Sequence, residues 1–240
     1  MTDSKVRRAV ILAAGRGTRM GAITNEIPKP MLPLGGKPML ELILGRLSAT
    51  GVEEFFVVVG YRHEVIESYF EYSPFEITFR VQDPVNGTAS AALLAEAFGG
   101  RDSWLLTYAD IICEPLEYER CGLVLRQNDE TAAVLAAKRV EDPWQGAAVY
   151  EDDGRVTKII EKPQRGTSRT SWNSAGIYVF RPIIFDYLRR VQLSARNEYE
   201  LPSALDMMLS DGLELRISPI EGEWRDVGRP EDLAAVSAEI

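Results

Sequence analysis

A short apolar run that stops in a glycine-rich loop constrains the fold of this chain more than any other feature. The stretch AVILAAGRGTRMG, residues 9–21, changes from aliphatic side chains to glycines and arginines within a few positions. An apolar run of this length, ended by glycine, is typical of a strand covered on both faces of a sheet. We therefore predict a buried strand at 10–14 with a sharp turn directly after it.

The first half of the chain continues this alternation of strand and helix. Further strands are predicted at 55–59, 76–81 and 104–107, and helices at 38–47, 63–70 and 88–98. This order predicts an α/β fold with a Rossmann-like, doubly wound, mostly parallel mixed sheet. Ligands bind such sheets beyond the carboxyl ends of the strands. The segments GRGTRMG, QDPVNG and YAD, which follow strands, should therefore share one rim.

The second half is less regular, and no proline- or glycine-rich linker separates it from the first. The predicted elements are strands at 131–138, 147–150, 156–160 and 177–180, and helices at 182–190, 199–209 and 230–238. We expect a single domain over residues 1–240.

Composition narrows the range of partners and compartments. The 240 residues carry a formal net charge of -9, which argues against a nucleic acid or an anionic membrane as the main partner. The opening apolar run is too short to cross a membrane. Two cysteines fit a reducing compartment, so a cytoplasmic location is expected.

The opening loop does not match the common phosphate-binding patterns. A dinucleotide loop needs G-x-G-x-x-G, and Met20 stands at the third glycine position. A Walker A loop fails because Pro38 follows the only Gly-Lys pair. What remains is a glycine turn whose backbone N–H groups suit an anion, with Arg16 and Arg19 as charged donors. A tight turn with solvated arginines stays open on these residues alone.

The segment NEIPKPMLPLGGKPML adds a cation close to this loop. Its four prolines predict an extended chain that holds Lys29 on a stiff backbone. A fixed cation beside an anion-binding turn suits charge stabilisation at phosphorus. The alternative is a surface loop with a solvated lysine.

Taken together, A-x-x-L-A-A-G-R-G-T-R-M and P-K-P-M-L-P-L-G-G-K-P-M-L resemble the opening signature of the sugar-1-phosphate nucleotidylyltransferases. Members of this family join a nucleoside triphosphate to a sugar 1-phosphate, giving an NDP-sugar and pyrophosphate. The resemblance implies a nucleotide-binding part at about 1–112 and a sugar-phosphate-binding part at about 113–240. It also implies nucleotide-binding residues Ala13, Ala14, Gly15, Gly17 and Thr18, with Arg19 and Lys29 as catalytic residues.

The segment VQDPVNG resembles the part of the family that reads the base. The resemblance implies that the Gln82 amide bonds the base and that Gly87 lets the backbone approach base or ribose. A plain turn between strand and helix is the alternative.

Two later segments resemble the metal-binding elements of the family. LLTYADI supplies Asp110 and EWRDVGRPEDL supplies Asp226, which the resemblance makes ligands of Mg²⁺. Arg229 stands where the family usually has threonine, and Ala109 where it usually has glycine.

The sugar-phosphate side is implied by IIEKPQ and WNSAGIYVF. These segments place Glu161, Lys162, Asn173 and Gly176 at that site, with Lys162 also catalytic. The resemblance covers residues 8 to about 237. The sequence ends one helix after Asp226, so we expect no β-helix acyltransferase domain.

We expect transfer of a nucleotidyl group, from UTP or dTTP as the favoured donors, to a sugar 1-phosphate, with glucose 1-phosphate as the default acceptor. A cytidylyl- or guanylyltransferase acting on a cyclitol, heptose, mannose, choline phosphate or phosphonate remains open. The non-enzyme alternative is a sugar-nucleotide-sensing subunit. The oligomeric state is not readable from the sequence.

Overall fold

A computed structural model describes residues 5–239 of the chain, with side chains to residue 238. The strands are β1 Arg8–Ala13, β2 Pro33–Leu34, β3 Lys37–Pro38, β4 Glu54–Val59, β5 Glu76–Val81, β6 Trp104–Tyr108, β7 Ile111–Cys113, β8 Thr131–Arg139, β9 Ala147–Asp152, β10 Arg155–Glu161, β11 Trp172–Phe180, β12 Glu214–Pro219 and β13 Trp224–Asp226. The helices are α1 Met39–Ser48, α2 His63–Phe70, α3 Thr88–Leu93, α4 Glu96–Gly99, α5 Pro115–Gln127, α6 Ile184–Leu188, α7 Leu201–Ser210 and α8 Pro230–Glu239.

One sheet of nine strands runs through both halves of the described chain, in the order β5-β4-β1-β6-β11-β8-β12-β10-β9. All strands except β10 and β11 run in the same direction. The predicted α/β fold with a mostly parallel mixed sheet is therefore confirmed. Because β1, β5 and β6 are parallel, their carboxyl ends share one rim, as predicted.

The opening apolar run explains the layered architecture. Successive side chains of a strand point to opposite faces of the sheet. Ile11 accordingly packs into one core layer and Val10 into the other, and both are fully buried. Helix α1 adds Leu40 and Ile43 to the first layer, whereas α7 adds Leu205 to the second. Burial of both faces is what an uninterrupted apolar strand requires.

Two predicted details of the first half of the chain are corrected. The prolines were expected to keep Lys29 in an extended chain, but Lys29–Met31 forms a short 3₁₀ turn. The residues on either side of the turn, Pro28 and Leu32, are extended, with ψ at 143° and 134°. Likewise, the predicted helix at 88–98 is divided into α3 and α4.

The sequence reading missed four elements that follow β6: α5, β7, β12 and β13. The charged residues of α5 hid its apolar stripe, in which Tyr118, Cys121 and Leu125 point inward at helical spacing. Strands β7 and β13 have three residues each and form a separate two-stranded sheet. Such short strands carry too little periodic pattern to be recognised.

None of the helices in residues 5–239 is long and apolar enough to cross a membrane.

The close packing at Gly87 can be tested by substitution. A Cβ at this position would lie 2.2 Å from the backbone oxygen of Tyr199, whereas a Cβ at Gly166 would meet nothing within 4 Å. Gly166→Ala is the control for a positive-φ glycine with open space around it, and Gly87, at φ 132° and ψ 169°, adds backbone strain to the close contact. In urea unfolding we expect Gly166→Ala to cost about 1 kcal/mol and Gly87→Ala about 2 kcal/mol more. Equal losses would show that Tyr199 does not pack as described.

Candidate active site

The small two-stranded sheet of β7 and β13, at the carboxyl rim of the main sheet, brings Asp110 and Asp226 together. Asp226 pairs with Ile111 in the antiparallel β7–β13 sheet, and the backbone N–H of Val227 donates to the Asp110 carbonyl at 2.9 Å. Ile111 and Val227 are buried, so apolar side chains anchor this two-stranded sheet. The two carboxylates, which are far apart in the sequence, therefore meet at one site.

The charges around these carboxylates are unusual. The Lys29 ammonium lies 2.5 Å from Asp110 Oδ2 and is itself buried. Asp226 is exposed to solvent on one side, yet protein atoms surround much of its carboxylate. This loss of hydration, followed by the charge of Asp110, raises the pKa of Asp226 to about 6. The cations Lys29 and Arg19 act in the opposite direction.

The glycine loop packs directly against Lys29. Gly17 adopts φ +68°, and a Cβ there would lie 2.9 Å from Cβ of Lys29. The Thr24 hydroxyl donates to the carbonyls of Gly17 and Gly21, which fixes the loop. Beside Gly15, in contrast, a Cβ would meet nothing within 4 Å. The loop therefore holds the lysine in place on one side and is open at Gly15.

A divalent cation fits this donor set. Two carboxylates whose charges disfavour each other are stabilised by a shared cation, and Mg²⁺ prefers hard oxygen ligands. Within residues 5–239, no group of three or more metal-ligating side chains is found. A cation held by Asp110 and Asp226 would complete its shell with phosphate oxygens and water.

The segment predicted to read the base is held by its own hydrogen bonds. Gln82 is buried, and its amide nitrogen donates to the Gly87 carbonyl and the Ser90 hydroxyl, both at 2.9 Å. The engaged nitrogen leaves the amide oxygen for a ligand. The backbone of Tyr199 fills the side of Gly87 on which a Cβ would project, so glycine is required there for packing.

The sugar-phosphate residues lie on β10, β11 and the turn after β10. Lys162 has φ +44°, donates its backbone N–H to the Gly146 carbonyl at 2.8 Å, and exposes half of its side chain. Glu161, just before it, accepts a hydrogen bond from Arg196 at 3.1 Å. The turn therefore presents a half-exposed ammonium, 4.0 Å from the Glu161 carboxylate that Arg196 restrains.

Asn173 and Gly176 complete that side of the site. The Asn173 amide donates to the Ser174 carbonyl at 2.8 Å, and its buried Oδ1 has no partner among the described residues. A Cβ at Gly176 would lie 2.7 Å from the Tyr108 ring, so glycine is required for this packing. Burial raises the pKa of Tyr108 well above its usual value, and the carboxylates of Glu161 and Asp110 add to the rise. The Tyr108 ring therefore packs against Gly176 on the sugar-phosphate side, two positions before Asp110 in the chain.

The described geometry brings Arg19, Lys29, Asp110 and Asp226 together around the glycine loop. Ala13, Ala14 and Thr18 flank that loop at the end of β1 and the start of the 3₁₀ helix Thr18–Asn25. Arg16 does not join the cluster and instead stacks on the Tyr61 ring at 5.3 Å.

Sequence reasoning missed several residues that shape the site. Arg196 restrains Glu161, Gly146 receives the Lys162 N–H, and Gly228 lies between Arg19 and Asp226. Arg196 belongs to an irregular segment with no strand or helix period, so no local signal marks it. The glycine of EWRDVGRPEDL was visible, but only the folded chain shows what it contacts.

Comparisons with known proteins agree with this architecture. A profile described as nucleotidyl transferase matches residues 8–240. The UTP–glucose-1-phosphate uridylyltransferase AglF of Haloferax volcanii is 36% identical over 233 residues, which cover 94% of this chain and 93% of that protein. A Bacillus anthracis protein described as a glucose-1-phosphate thymidylyltransferase, solved with a sucrose, superposes with a TM-score of 0.84 at 26% identity, covering 97% and 94% of the two chains.

The chain therefore belongs to the nucleotidyl transferase family. Another relative, the low-salt glycan biosynthesis nucleotidyltransferase Agl11 of Haloferax volcanii, is 34% identical over 232 residues. That match covers 94% of this chain and 64% of Agl11. The chain spans about half the length of several bifunctional GlmU proteins from methanogens that it also matches.

The raised pKa of Asp226 predicts a stability effect in metal-free protein. A carboxyl whose pKa is raised on folding destabilises the fold once it ionises, so the cost develops between about pH 4 and pH 6. With EDTA at pH 8, Asp226→Asn should gain roughly 1 kcal/mol after allowance for solvent screening. That gain corresponds to a rise in Tm of about 2–4 °C.

Thermal melting at several pH values measures this effect. The gain should disappear below pH 4, where the Asp226 carboxyl becomes protonated in both the folded and the unfolded protein. Asp206→Asn, at an exposed aspartate of α7, is the control and should change Tm little at either pH. A pH-independent gain, or none at pH 8, would contradict the electrostatic description.

Proposed function

We propose that the protein transfers a nucleotidyl group from a nucleoside triphosphate to a sugar 1-phosphate, releasing pyrophosphate. The observation that carries this proposal is the cluster of Lys29, Asp110 and Asp226 beside the glycine loop. It places one fixed cation and two hard oxygen donors at one point of the ligand-binding rim. Such a centre suits charge stabilisation at a phosphate.

The reaction is a direct in-line displacement. A phosphate oxygen of the acceptor attacks the α-phosphorus, and the bond to the β-phosphate oxygen breaks. The glycine-loop N–H groups and Arg19 would hold the triphosphate, while Lys29 would neutralise charge on the α-phosphate. Asp110 and Asp226 would hold Mg²⁺, which when bound supplies further charge neutralisation. No protein nucleophile is needed.

The acceptor binds at the opposite end of the cleft in this proposal. Lys162 is half-exposed and has only a distant contact, 4.0 Å, with the Glu161 carboxylate, so its ammonium is available to orient the attacking phosphate. Glu161 and Asn173 are available to bond sugar hydroxyls. Arg196 would keep Glu161 in position.

Uracil and thymine are the bases that we favour. The free amide oxygen of Gln82 is an acceptor, and both bases offer an N3–H donor. AglF, whose name states UTP and glucose 1-phosphate as its substrates, supports the same choice. Cytidylyl or guanylyl transfer to another phosphorylated small molecule is the second candidate, and a sugar-nucleotide sensor is the third.

We also propose a domain organisation, a cellular location and a class of ligands. The nucleotide side is built mainly from residues 1–112 and the sugar-phosphate side from 113–240, within a single domain. The protein works in the cytoplasm in NDP-sugar biosynthesis. Its ligands are small molecules rather than nucleic acid or membrane, consistent with its net charge of -9.

Pyrophosphate release measured over a panel of triphosphates and phosphorylated acceptors tests the proposal. UTP or dTTP with glucose 1-phosphate should give the highest kcat/KM, and EDTA should abolish turnover. A protein that binds nucleotides but turns over no pair in the panel would be a sensor.

Lys29→Ala should lower kcat by about 10²-fold or more, because it removes a cation from the α-phosphate. Lys158→Ala removes an exposed lysine of β10 and is the matched control, with kcat expected to stay within twofold. Steady-state kinetics at saturating substrates makes the comparison. Near-full turnover in Lys29→Ala would remove Lys29 from the catalytic residues.

A further inference from the structure

An open groove lies next to the glycine loop, beyond the metal-binding pair. Its volume is about 360 Å³, and its lining residues are Arg19, Met20, Gly21, Arg229, Pro230 and Glu231. The loop supplies one wall, and the segment that enters α8 supplies the other. The groove has room for a diphosphate together with several water molecules.

The charge of the groove favours an anion. Among its lining residues, Arg19 and Arg229 contribute two guanidinium groups and Glu231 one carboxylate, while the neighbouring Asp232 carboxylate is held by backbone N–H groups. Neither arginine forms an ion pair with a carboxylate within residues 5–239. Both side chains are exposed, and guanidinium forks match phosphate oxygens in geometry.

The start of helix α8 does not by itself account for this anion preference. The Asp232 carboxylate accepts hydrogen bonds from the backbone N–H groups of Gly228 and Arg229, at 3.1 and 2.7 Å. These donors are already satisfied within the chain. Binding in the groove must therefore come from the arginine side chains.

The groove adjoins the reacting centre through Gly228. A Cβ at Gly228 would lie 3.4 Å from Arg19 Nη1 and 3.4 Å from Asp226 Oδ1. Arg19 therefore lies next to the metal-binding pair at one end and lines the groove at the other. An anion that moves from the centre into the groove would meet Arg19, which borders both, and Arg229, which lines the same groove.

We propose that this groove receives the pyrophosphate product and that Arg229 is a specific ligand for it. The inference rests on the proposed nucleotidyl transfer and extends it to a residue that stands where the family usually has threonine. When the α-phosphorus bond breaks, its electron pair stays on the departing pyrophosphate, whose charge rises. The guanidinium groups of Arg19 and Arg229 meet that charge, and no proton transfer is required.

Direct binding of inorganic pyrophosphate separates this role from turnover. In calorimetry with Mg²⁺ present, Arg229→Thr should weaken pyrophosphate binding by about 10-fold or more, as expected for a lost charged hydrogen bond. Arg229→Lys, which keeps the charge but not the fork, should lose less. Arg101→Thr removes an exposed arginine outside the groove and should leave binding within twofold of the native protein.

Replacement of the Glu231 carboxylate in the same groove should have the opposite effect on pyrophosphate affinity. Glu231→Gln should tighten pyrophosphate binding, because it removes a negative charge from the anion site. In the reverse reaction, Arg229→Thr should raise the KM for pyrophosphate about 10-fold, with the KM for the NDP-sugar changed less than twofold.

Three outcomes would overturn the assignment. In the first, Arg229→Thr binds pyrophosphate with native affinity. In the second, Glu231→Gln weakens pyrophosphate binding as much as Arg229→Thr does. In the third, Arg229→Thr raises the KM for the NDP-sugar as much as the KM for pyrophosphate. Failure of the proposed function is distinguishable, since it would appear as a lack of turnover in the native protein while the calorimetric comparison can still be made.

Discussion

The pairing of β7 with β13 is the constraint on which the candidate site depends. Asp110 follows a central parallel strand, and Asp226 lies near the end of the chain. A three-residue ladder and the hydrogen bond from Val227 to Asp110 bring them to the same point. Buried Ile111, Ile112 and Val227 anchor this strand pair to the core layer that also contains Ile11 and helix α1. The site thus derives its geometry from packing that lies outside the main sheet.

That geometry forces two like charges together, and the surrounding residues reflect this. Lys29 meets one carboxylate directly, and Arg19 lies near the other. The glycine loop is shaped around Lys29, because Gly17 leaves no room for a side chain there. The loop, Lys29 and the β7–β13 pair therefore form one packed unit, in which loss of Lys29 would leave Asp110 without its ion pair. Together they bring one ammonium and two carboxylates to one point of the rim.

The sequence was most informative where local pattern decides structure. The strand at the start of β1, the helix α2 and the strand β5 follow directly from apolar spacing, and the rim shared by three loops follows from parallel strands. The prediction of an extended chain at Lys29 was wrong, because prolines also fit the first positions of a helical turn. Residues such as Arg196 and Tyr199 act through contacts between distant segments. No local pattern records such contacts, so only the folded chain reveals them.

We propose that Asp110 and Asp226 together hold the cation that binds the triphosphate. The most direct measurement is a crystal structure of the protein with Mn²⁺ and a non-hydrolysable triphosphate, using anomalous scattering to locate the metal. We expect a metal peak within bonding distance of both carboxylates and of phosphate oxygens. A metal bound by phosphates alone, with Asp110 still paired to Lys29 and Asp226 without a ligand, would contradict the claim.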